Sequence, residues 1–189
     1  MRRHFCRSNS TSIFLSLNTM KSAYAILVII CLWLLISCSK TTPFTIDVSA
    51  ITSRDALGNS NGSADNTDWT EDVSWNETEK SLFITDPIDM TDAEVASVSI
   101  QPVYPNPCVS TTTLQFTVSK ITWIRIAIVD EKLNKLAFFS FKTDSGLNAY
   151  HIPFDPLKFK ANKNYRIYYS FDAPGNAMYY KGHGDVAIR

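Results

Sequence analysis

The first 37 residues of this 189-residue chain contain no acidic residue, and the whole chain carries no net charge. Those residues hold four basic side chains, whereas residues 38–100 hold twelve acidic side chains against three basic ones, a net charge of −9. Residues 101–189 hold eleven basic side chains against six acidic ones, a net charge of +5. A neutral chain has no electrostatic footprint for nucleic acid, so we expect no nucleic-acid partner. The charge zones predict a leader, an acidic polar stretch and a mildly basic domain.

Catalytic and cofactor motifs are also absent, except for a literal G-x-S-x-G match at residues 58–62, which has no apolar flank on either side and is interpreted as linker. The sequence has no phosphate-binding loop, no H-E-x-x-H and no dinucleotide-binding glycine pattern. Its four cysteines form no C-x-x-C pair and no zinc spacing, so we expect neither a zinc site nor a disulfide scaffold. We therefore expect no metal or other cofactor and interpret the chain as a non-enzyme.

An apolar run near the start has the features of a signal peptide. Lys21 precedes 14 apolar residues, 23–36. At about 1.5 Å per residue, a helix of this length is shorter than the roughly 30 Å hydrocarbon core of a bilayer. A signal peptide covering residues 1–37 therefore fits better than the alternative, an uncleaved transmembrane anchor. Met20 already begins a complete leader and is a second candidate for the start of translation.

The leader ends in L-I-S-C, residues 35–38, which resembles the lipobox of bacterial lipoproteins. The resemblance implies cleavage between Ser37 and Cys38, lipidation of the Cys38 thiol and acylation of the new N-terminus. Several acyl chains anchor a protein stably where one does not. Ser39 follows the cysteine, which resembles lipoproteins released to the outer membrane. We therefore expect an outer-membrane lipoprotein, and both the periplasmic and the surface face remain open.

Residues 38–92 are predicted to form a largely flexible acidic tether with room for short strands. Polar and glycine-containing stretches dominate this segment, although residues 41–52 and 81–85 are strand candidates. Thr91 and Glu94 have capping-box spacing, which predicts one helical turn. The acidic run 65–72 lacks calcium-loop spacing and is interpreted as a solvated loop. Trp69 and Trp75 are expected to dock on the domain that follows.

Residues 93–189 are predicted to form an immunoglobulin-like antiparallel β-sandwich of about seven strands. Short runs of alternating apolar residues recur with turn residues between them, and sustained helical periodicity is absent. Leu114, Phe116 and Val118 share one predicted face, as do the isoleucines of I-R-I-A-I, residues 124–128. The resulting fold class is all-β, preceded by a signal peptide and a polar tether.

The same region resembles the C-terminal sorting domains of the type IX secretion system in Bacteroidota. Residues 98–171 carry the resemblance through Y-P-N-P at 104–107, a threonine-rich strand, a strand ending in aspartate, and a G-x-N strand. Asn134 and Asn164 stand where that family has glycine, and asparagine tolerates positive φ best among the other residues. The resemblance implies the sandwich fold and a bacterial envelope origin. Two prolines make Y-P-N-P a stiff crossing between strands, so its predicted role is structural.

Few residues after Cys38 are candidates for ligand contact or chemistry. "GHGD", residues 182–185, could place an imidazole near a carboxylate, although a turn leading into the last strand is the simpler interpretation. Three hypotheses follow: a non-enzymatic module binding an envelope protein or a glycan, a carbohydrate-binding lipoprotein with an exposed row of aromatic rings, and a small hydrolase. A sorting-like domain is a further alternative. The candidate ligand contacts are Trp123, Tyr168, Tyr179, His183 and Asp185.

Overall fold

Eight strands and one short helix account for the regular structure in a computed structural model that describes residues 44–84 and 88–189. The predicted signal peptide, its cleavage site at Ser37 and the lipidated Cys38 lie outside the described residues. In chain order the elements are β1 (Thr70–Glu71), α1 (Glu77–Ser81), β2 (Val98–Ile100), β3 (Thr111–Val118), β4 (Thr122–Val129), β5 (Lys135–Thr143), β6 (Gly146–Pro153), β7 (Lys163–Ala173) and β8 (Asn176–Ile188).

The strands form two antiparallel sheets, so the predicted all-β sandwich is confirmed. The large sheet has the order β1-β8-β7-β4-β5, and the small sheet has the order β2-β3-β6. Of the seven strands β2–β8, β2, β3 and β6 form the small sheet, and β4, β5, β7 and β8 form the large sheet. This is an immunoglobulin-like Greek-key arrangement. The remaining strand, β1, pairs with β8 at the edge of the large sheet. It comes from the segment that the sequence predicts to be a tether.

Period-two alternation places apolar side chains between the two sheets. The isoleucines of β4 and the predicted inward residues of β3 are nearly inaccessible to solvent, which confirms their predicted faces. Cys108 is 3% exposed in the same core, and burial raises the pKa of its thiol to about 11. It therefore behaves as the small apolar residue that the sequence predicts.

Gly182 and Gly184 lie inside β8, so the predicted turn at "GHGD" is wrong. A Cβ at Gly184 would overlap the indole of Trp69, and one at Gly182 would overlap the carbonyl of Thr70 and the hydroxyl of Tyr169. The Trp69 indole stacks on Tyr169, with 6.2 Å between ring centroids. The glycines thus serve close packing rather than chain reversal, because only a residue without a side chain leaves room for this tryptophan.

Residues 44–84 pack on the sandwich, whereas the sequence predicts a largely flexible tether up to residue 92. The compact unit extends from Pro43 to Arg189. Trp75, Leu82 and Phe83 are buried against the outward face of the large sheet, where they contact Tyr168 and Leu133. These contacts confirm that both tryptophans dock on the domain. The predicted tether therefore supplies a covering layer for the sheet, because its few apolar side chains are concentrated where the sheet offers an apolar patch.

Four local predictions in this chain are wrong. Residues 44–53, which include most of the first predicted strand, contain no strand. Residue 81, where the second predicted strand begins, is instead the last residue of α1. Residues 91–96, where one helical turn was predicted, contain no helix. The capping box lies instead at Asn76 and Glu79. Positive φ occurs at Leu133 and Asn162, not at Asn134 or Asn164. Each asparagine has another role: the Asn134 amide donates to Asp130 Oδ2, and the Asn164 amide donates to the carbonyl of Val48.

The Y-P-N-P crossing holds three segments together through a single buried side chain. Asn106 is fully buried, and its amide nitrogen donates to the carbonyls of Thr52 and Asp185 at 3.0 and 2.9 Å. Its amide oxygen accepts from the backbone N–H of Ala187 at 3.0 Å. Since all these partners are backbone groups that would otherwise be buried without a bond, the role of Asn106 is structural, as predicted.

Candidate functional site

His183 and Asp185 lie two residues apart on β8 but do not pair with each other. The Nδ1 atom of His183 lies 2.8 Å from Asp72 Oδ2, whereas the two carboxylate oxygens of Asp185 accept from Nε and a terminal nitrogen of Arg166 at 2.7 and 2.8 Å. The His183 imidazole therefore pairs with a carboxylate, but with that of Asp72 and not with that of Asp185. Asp72 comes from the segment after β1, which the sheet edge at β8 positions beside His183.

Asp72 is held by two donors, which fixes its orientation toward the imidazole. The indole N–H of Trp75 donates to the same Oδ2 atom at 2.6 Å. Within the described part of the chain, no hydroxyl or thiol is hydrogen-bonded to His183. A nucleophile activated by a histidine needs such a bond. The described residues therefore supply no activated nucleophile for this imidazole.

The Arg166–Asp185 pair is a buried structural contact rather than a reactive one. Burial alone would lower the pKa of Arg166, but the hydrogen bonds and charge of Asp185 outweigh this and raise it above its ordinary value. A third hydrogen bond from Arg166 reaches the carbonyl of Asp47 at 2.6 Å. Asp185 is 1% exposed. Its carboxylate is therefore committed to a bidentate pair, and we no longer regard it as a contact for an external ligand.

Asp68 is the most strongly perturbed acid beside this pair. It is buried, and burial together with the charges of Asp185 and Asp65 raises its pKa to about 7. Its oxygens accept from the backbone N–H of Asp185 at 3.1 Å and from that of Thr52 at 3.2 Å. The acidic run 65–72 is thus not a solvated loop: two of its carboxylates are built into the interface between the covering segment and β8.

A cleft of about 420 Å³ opens above His183 and Arg166. Asp47 and Asp65 line the same cleft, so cationic and acidic groups face each other across it. The charges compensate within the cleft, which leaves no strong preference for an ion of either sign. The complete lining is Ile46, Asp47, Ala50, Asp65, Thr67, Arg166 and His183.

Two of the three aromatic candidates for ligand contact, Tyr168 and Tyr179, are engaged within the domain. Tyr168 is fully buried; its hydroxyl donates to Glu79 Oε1 at 3.0 Å, and its ring meets Trp75 edge-on. The hydroxyl of Tyr179 bonds to Thr122 Oγ1 at 2.8 Å and accepts from the backbone N–H of Ala96 at 3.2 Å. Trp123 is half-buried. Tyr168 cannot contact a ligand while the covering segment is in place, so that prediction is wrong.

An exposed row of aromatic rings, which a carbohydrate-binding face would present, is not found in residues 44–84 and 88–189. Phe44 is the one aromatic side chain of these residues that is mainly exposed. Phe139 and Phe141 of β5 turn inward and contact Tyr150 of β6 across the open seam of the sandwich. Apart from Phe44, the aromatic side chains of the described residues are at least partly buried.

Sequence reasoning missed the partners that define this site. Arg166 sits in an alternating strand where a charged residue normally indicates a solvent-facing position, and Asp72 sits in a polar segment with no motif. The indole at residue 75 was the one signal for a buried contact, because tryptophan in a polar segment usually packs against something. No sequence pattern pairs residue 72 with residue 183.

Within the two described ranges, no cluster of three or more His, Cys, Asp or Glu side chains could hold a metal ion. No helix in the described part of the chain is both long enough and apolar enough to cross a membrane. Comparison with known protein families found no family model that matches the chain, and comparison with curated proteins found no match.

Proposed function

We propose that this chain is a lipid-anchored, non-enzymatic binding module of a bacterial cell envelope, held at the outer membrane through Cys38. The observation that carries the proposal is the position of the compact unit, which begins at Pro43. Only residues 39–42 separate it from the cysteine that ends the lipobox-like sequence. The order of leader, lipobox-like sequence and folded sandwich is the order expected of a lipoprotein.

The short connection gives the anchored domain a defined working distance. Five residues reach at most about 18 Å when fully extended. A sandwich attached this closely would act at the membrane surface, whereas a tether of some fifty residues would let it search the surrounding space. The proposed binding partner is therefore an envelope protein or a glycan that lies close to the bilayer.

The non-enzymatic part of the proposal is supported by the way the reactive side chains are used. Asp185 is bound by Arg166, Asp72 is bound by Trp75 and His183, and Tyr168 is bound by Glu79. The Arg166–Asp185 bond joins two strands of the sheet, and the Asp72–His183 and Tyr168–Glu79 bonds join the covering segment to the sheet. The Trp75–Asp72 bond lies within the covering segment. The side chains that are candidates for catalysis or ligand contact are therefore used to stabilise the fold.

The proposal is tested by replacing Cys38 with alanine and analysing the protein in cell fractions. We expect the wild-type protein in the membrane fraction with its N-terminal peptide carrying diacylglycerol on Cys38, as measured by mass spectrometry. Cys38→Ala should lose the lipid and the cleavage before residue 38. Cys31→Ala, the same substitution inside the apolar run, is the matched control and should behave as wild type.

An unmodified Cys38 in the wild-type membrane protein would overturn the anchor, and so would equal processing of wild type and Cys38→Ala. Protease treatment of intact cells then separates the two faces of the membrane. Cleavage of the sandwich on intact cells places it on the surface, and protection until the outer membrane is opened places it in the periplasm.

A further inference from the structure

A cavity separate from the cleft at His183 is lined by a basic side chain, Arg54, and by no acidic side chain. Arg54, Gln101, Tyr104 and Gln115 line this cavity of about 140 Å³. Its other lining residues are Leu57, Gly58 and Pro102. The volume corresponds to about four or five water molecules of liquid, which suits a small polar group rather than a whole macromolecular surface.

The backbone of Arg54 is fixed by the Y-P-N-P crossing. Its N–H donates to the carbonyl of Asn106 at 2.8 Å, and its carbonyl accepts from the Asn106 N–H at 2.9 Å. The following turn then places Gly58 against the ring of Tyr104. The Arg54 side chain is half-buried between this turn and the small sheet. Both walls of the cavity are therefore held by backbone bonds before any ligand arrives.

The Arg54 guanidinium is only partly satisfied by the described protein. Its one side-chain bond is to the carbonyl of Gly58 at 3.3 Å, and its Nε is buried without a hydrogen-bond partner among the described residues. No described carboxylate forms a salt bridge with it. The neighbouring Asp55 is committed to its own turn, because its oxygens accept from the N–H groups of Leu57 and Asn59. A buried donor left without a hydrogen-bond partner is costly.

The neutral groups of the cavity also present donors. The hydroxyl of Tyr104 donates to Gln115 Oε1 at 3.0 Å, which occupies the amide oxygen and leaves the amide N–H groups available. Gln101 is exposed beside it, and its backbone N–H pairs with the carbonyl of Gln115. A guanidinium and an amide N–H₂ that converge on a small cavity match the acceptor oxygens of a carboxylate.

The other two cavities differ in charge. The cleft at His183 sets Arg166 against Asp47 and Asp65, and a cavity of about 490 Å³ sets Lys163 and Arg189 against Asp47 and Glu131. Of these three cavities, the Arg54 cavity alone combines a cation with no acidic lining. We propose that it binds a small organic carboxylate, with Arg54 as the charged ligand and Gln115 as the orienting donor. This inference does not depend on lipid attachment at Cys38.

The test uses the full chain purified in detergent, with acetate and D-glucuronate as probes and D-glucose as the uncharged control. Nitrogen-15 NMR follows the Arg54 Nε and the side-chain amides of Gln101 and Gln115 during titration. We expect saturable shifts with both carboxylates and none with glucose. A stronger response to glucuronate than to acetate would identify a sugar acid as the source of the carboxylate, and equal responses would identify the carboxylate group alone.

Two variants separate binding from folding. Arg54→Gln should weaken binding about tenfold or more, since a hydrogen bond to a charged group is lost together with the charge. Gln115→Glu keeps the oxygen that accepts from Tyr104 and adds a repelling charge, so it should also abolish the shifts. Arg189→Gln, in a different cavity, should bind as wild type. Absence of saturable shifts, or equal binding by wild type and either cavity variant, would overturn the proposal.

Discussion

The two faces of the large sheet are both buried, but by different means. The inner face meets a second sheet, and its residues are aliphatic or aromatic side chains with almost no solvent exposure. The outer face meets the segment of residues 44–84, and it combines a small apolar patch with two Arg–Asp pairs. The difference follows from what covers each face, because a sheet satisfies its own backbone groups and an irregular segment does not.

Side chains of the sheet donate to carbonyls of the covering segment. Arg125 donates to Phe83 at 2.8 Å, Lys135 to Leu82 at 2.7 Å, Arg166 to Asp47 at 2.6 Å and Asn164 to Val48 at 2.7 Å. The carbonyls of a segment outside a sheet need such partners when they are buried. Charged residues on the outer face are thus explained by the covering layer and require no external ligand.

The largest expected effect is the loss of the Arg125–Asp172 pair on this outer face. Asp172 is fully buried and accepts two bonds from Arg125, one from Ser170 and one from the backbone N–H of Met178. Asp172→Ala leaves the Arg125 charge buried without an acidic partner. We expect the free energy of unfolding to fall by roughly 3–5 kcal/mol, measured by urea denaturation.

The matched control for that substitution is Glu94→Ala, which breaks the exposed pair with Lys120. An exposed pair contributes about 0–1 kcal/mol, so this variant should unfold close to wild type. Equal destabilisation in the two variants would contradict the difference in burial on which the comparison rests. A small effect of Asp172→Ala would show that the covering layer is loose enough to admit water.

The pH dependence of stability should report Asp68, which lies where the covering segment meets β8. Its folded-state pKa is raised from 3.8 to about 7, so the folded protein binds a proton that the unfolded chain has released between these values. Stability should therefore fall as the pH rises from about 4 to about 7. Asp68→Asn should remove most of this fall, measured by denaturation at several pH values.

Asp55→Asn is the control of opposite sign. Hydrogen bonds from the backbone and side chain of Asn59 lower the pKa of Asp55. Asp55 therefore stabilises the fold above its unfolded-state pKa, and this stabilisation is lost as the pH decreases through the lower, folded-state pKa. The decrease in the free energy of unfolding between pH 4 and pH 7 should therefore persist in Asp55→Asn. A flat profile in the wild-type protein would contradict the burial of the Asp68 carboxylate.

The smallest expected effect concerns the helix of the covering layer. Asn76 Oδ1 accepts from the Glu79 N–H at 3.0 Å, and Glu79 Oε2 accepts from the Asn76 N–H at 2.8 Å. Asn76→Ala should cost about 1 kcal/mol. Hydrogen exchange should speed up in residues 77–84 but not in β4, whereas Thr78→Ala, on the exposed surface of the same helix, should leave both rates unchanged. Equal acceleration in β4 would show that the two faces unfold together.

The strands of the sandwich were predictable because their signal is local. Alternation of apolar residues in β3, β4 and β7 follows directly from the two-residue repeat of a strand, and it fixes which side chains enter the core. The positions of Trp69 and Trp75 on the domain were predictable from the cost of exposing an indole. The covering layer as a whole was not, because residues 44–84 are polar on average and only a few of their side chains are buried.

The candidate site was least predictable, since its central contact joins residues far apart in sequence. His183 and Asp72 are separated by 111 positions and pair only because β1 adds to the edge of β8. The Arg54 cavity forms because a neighbouring turn, Gln101 and Gln115 lie beside the Arg54 side chain, and no sequence motif relates these residues to Arg54.

The sequence by itself determined the all-β character, the faces of the main strands and the apolar role of Cys108, because burial in a strand is encoded by alternation and side-chain type. Only the tertiary structure decided that residues 44–84 cover the large sheet, that Gly184 of "GHGD" makes room for an indole, and that Asp185 pairs with Arg166 instead of His183. The physical reason is that buried polar groups must find partners wherever the fold brings them, and distance along the chain does not specify which partner is nearest.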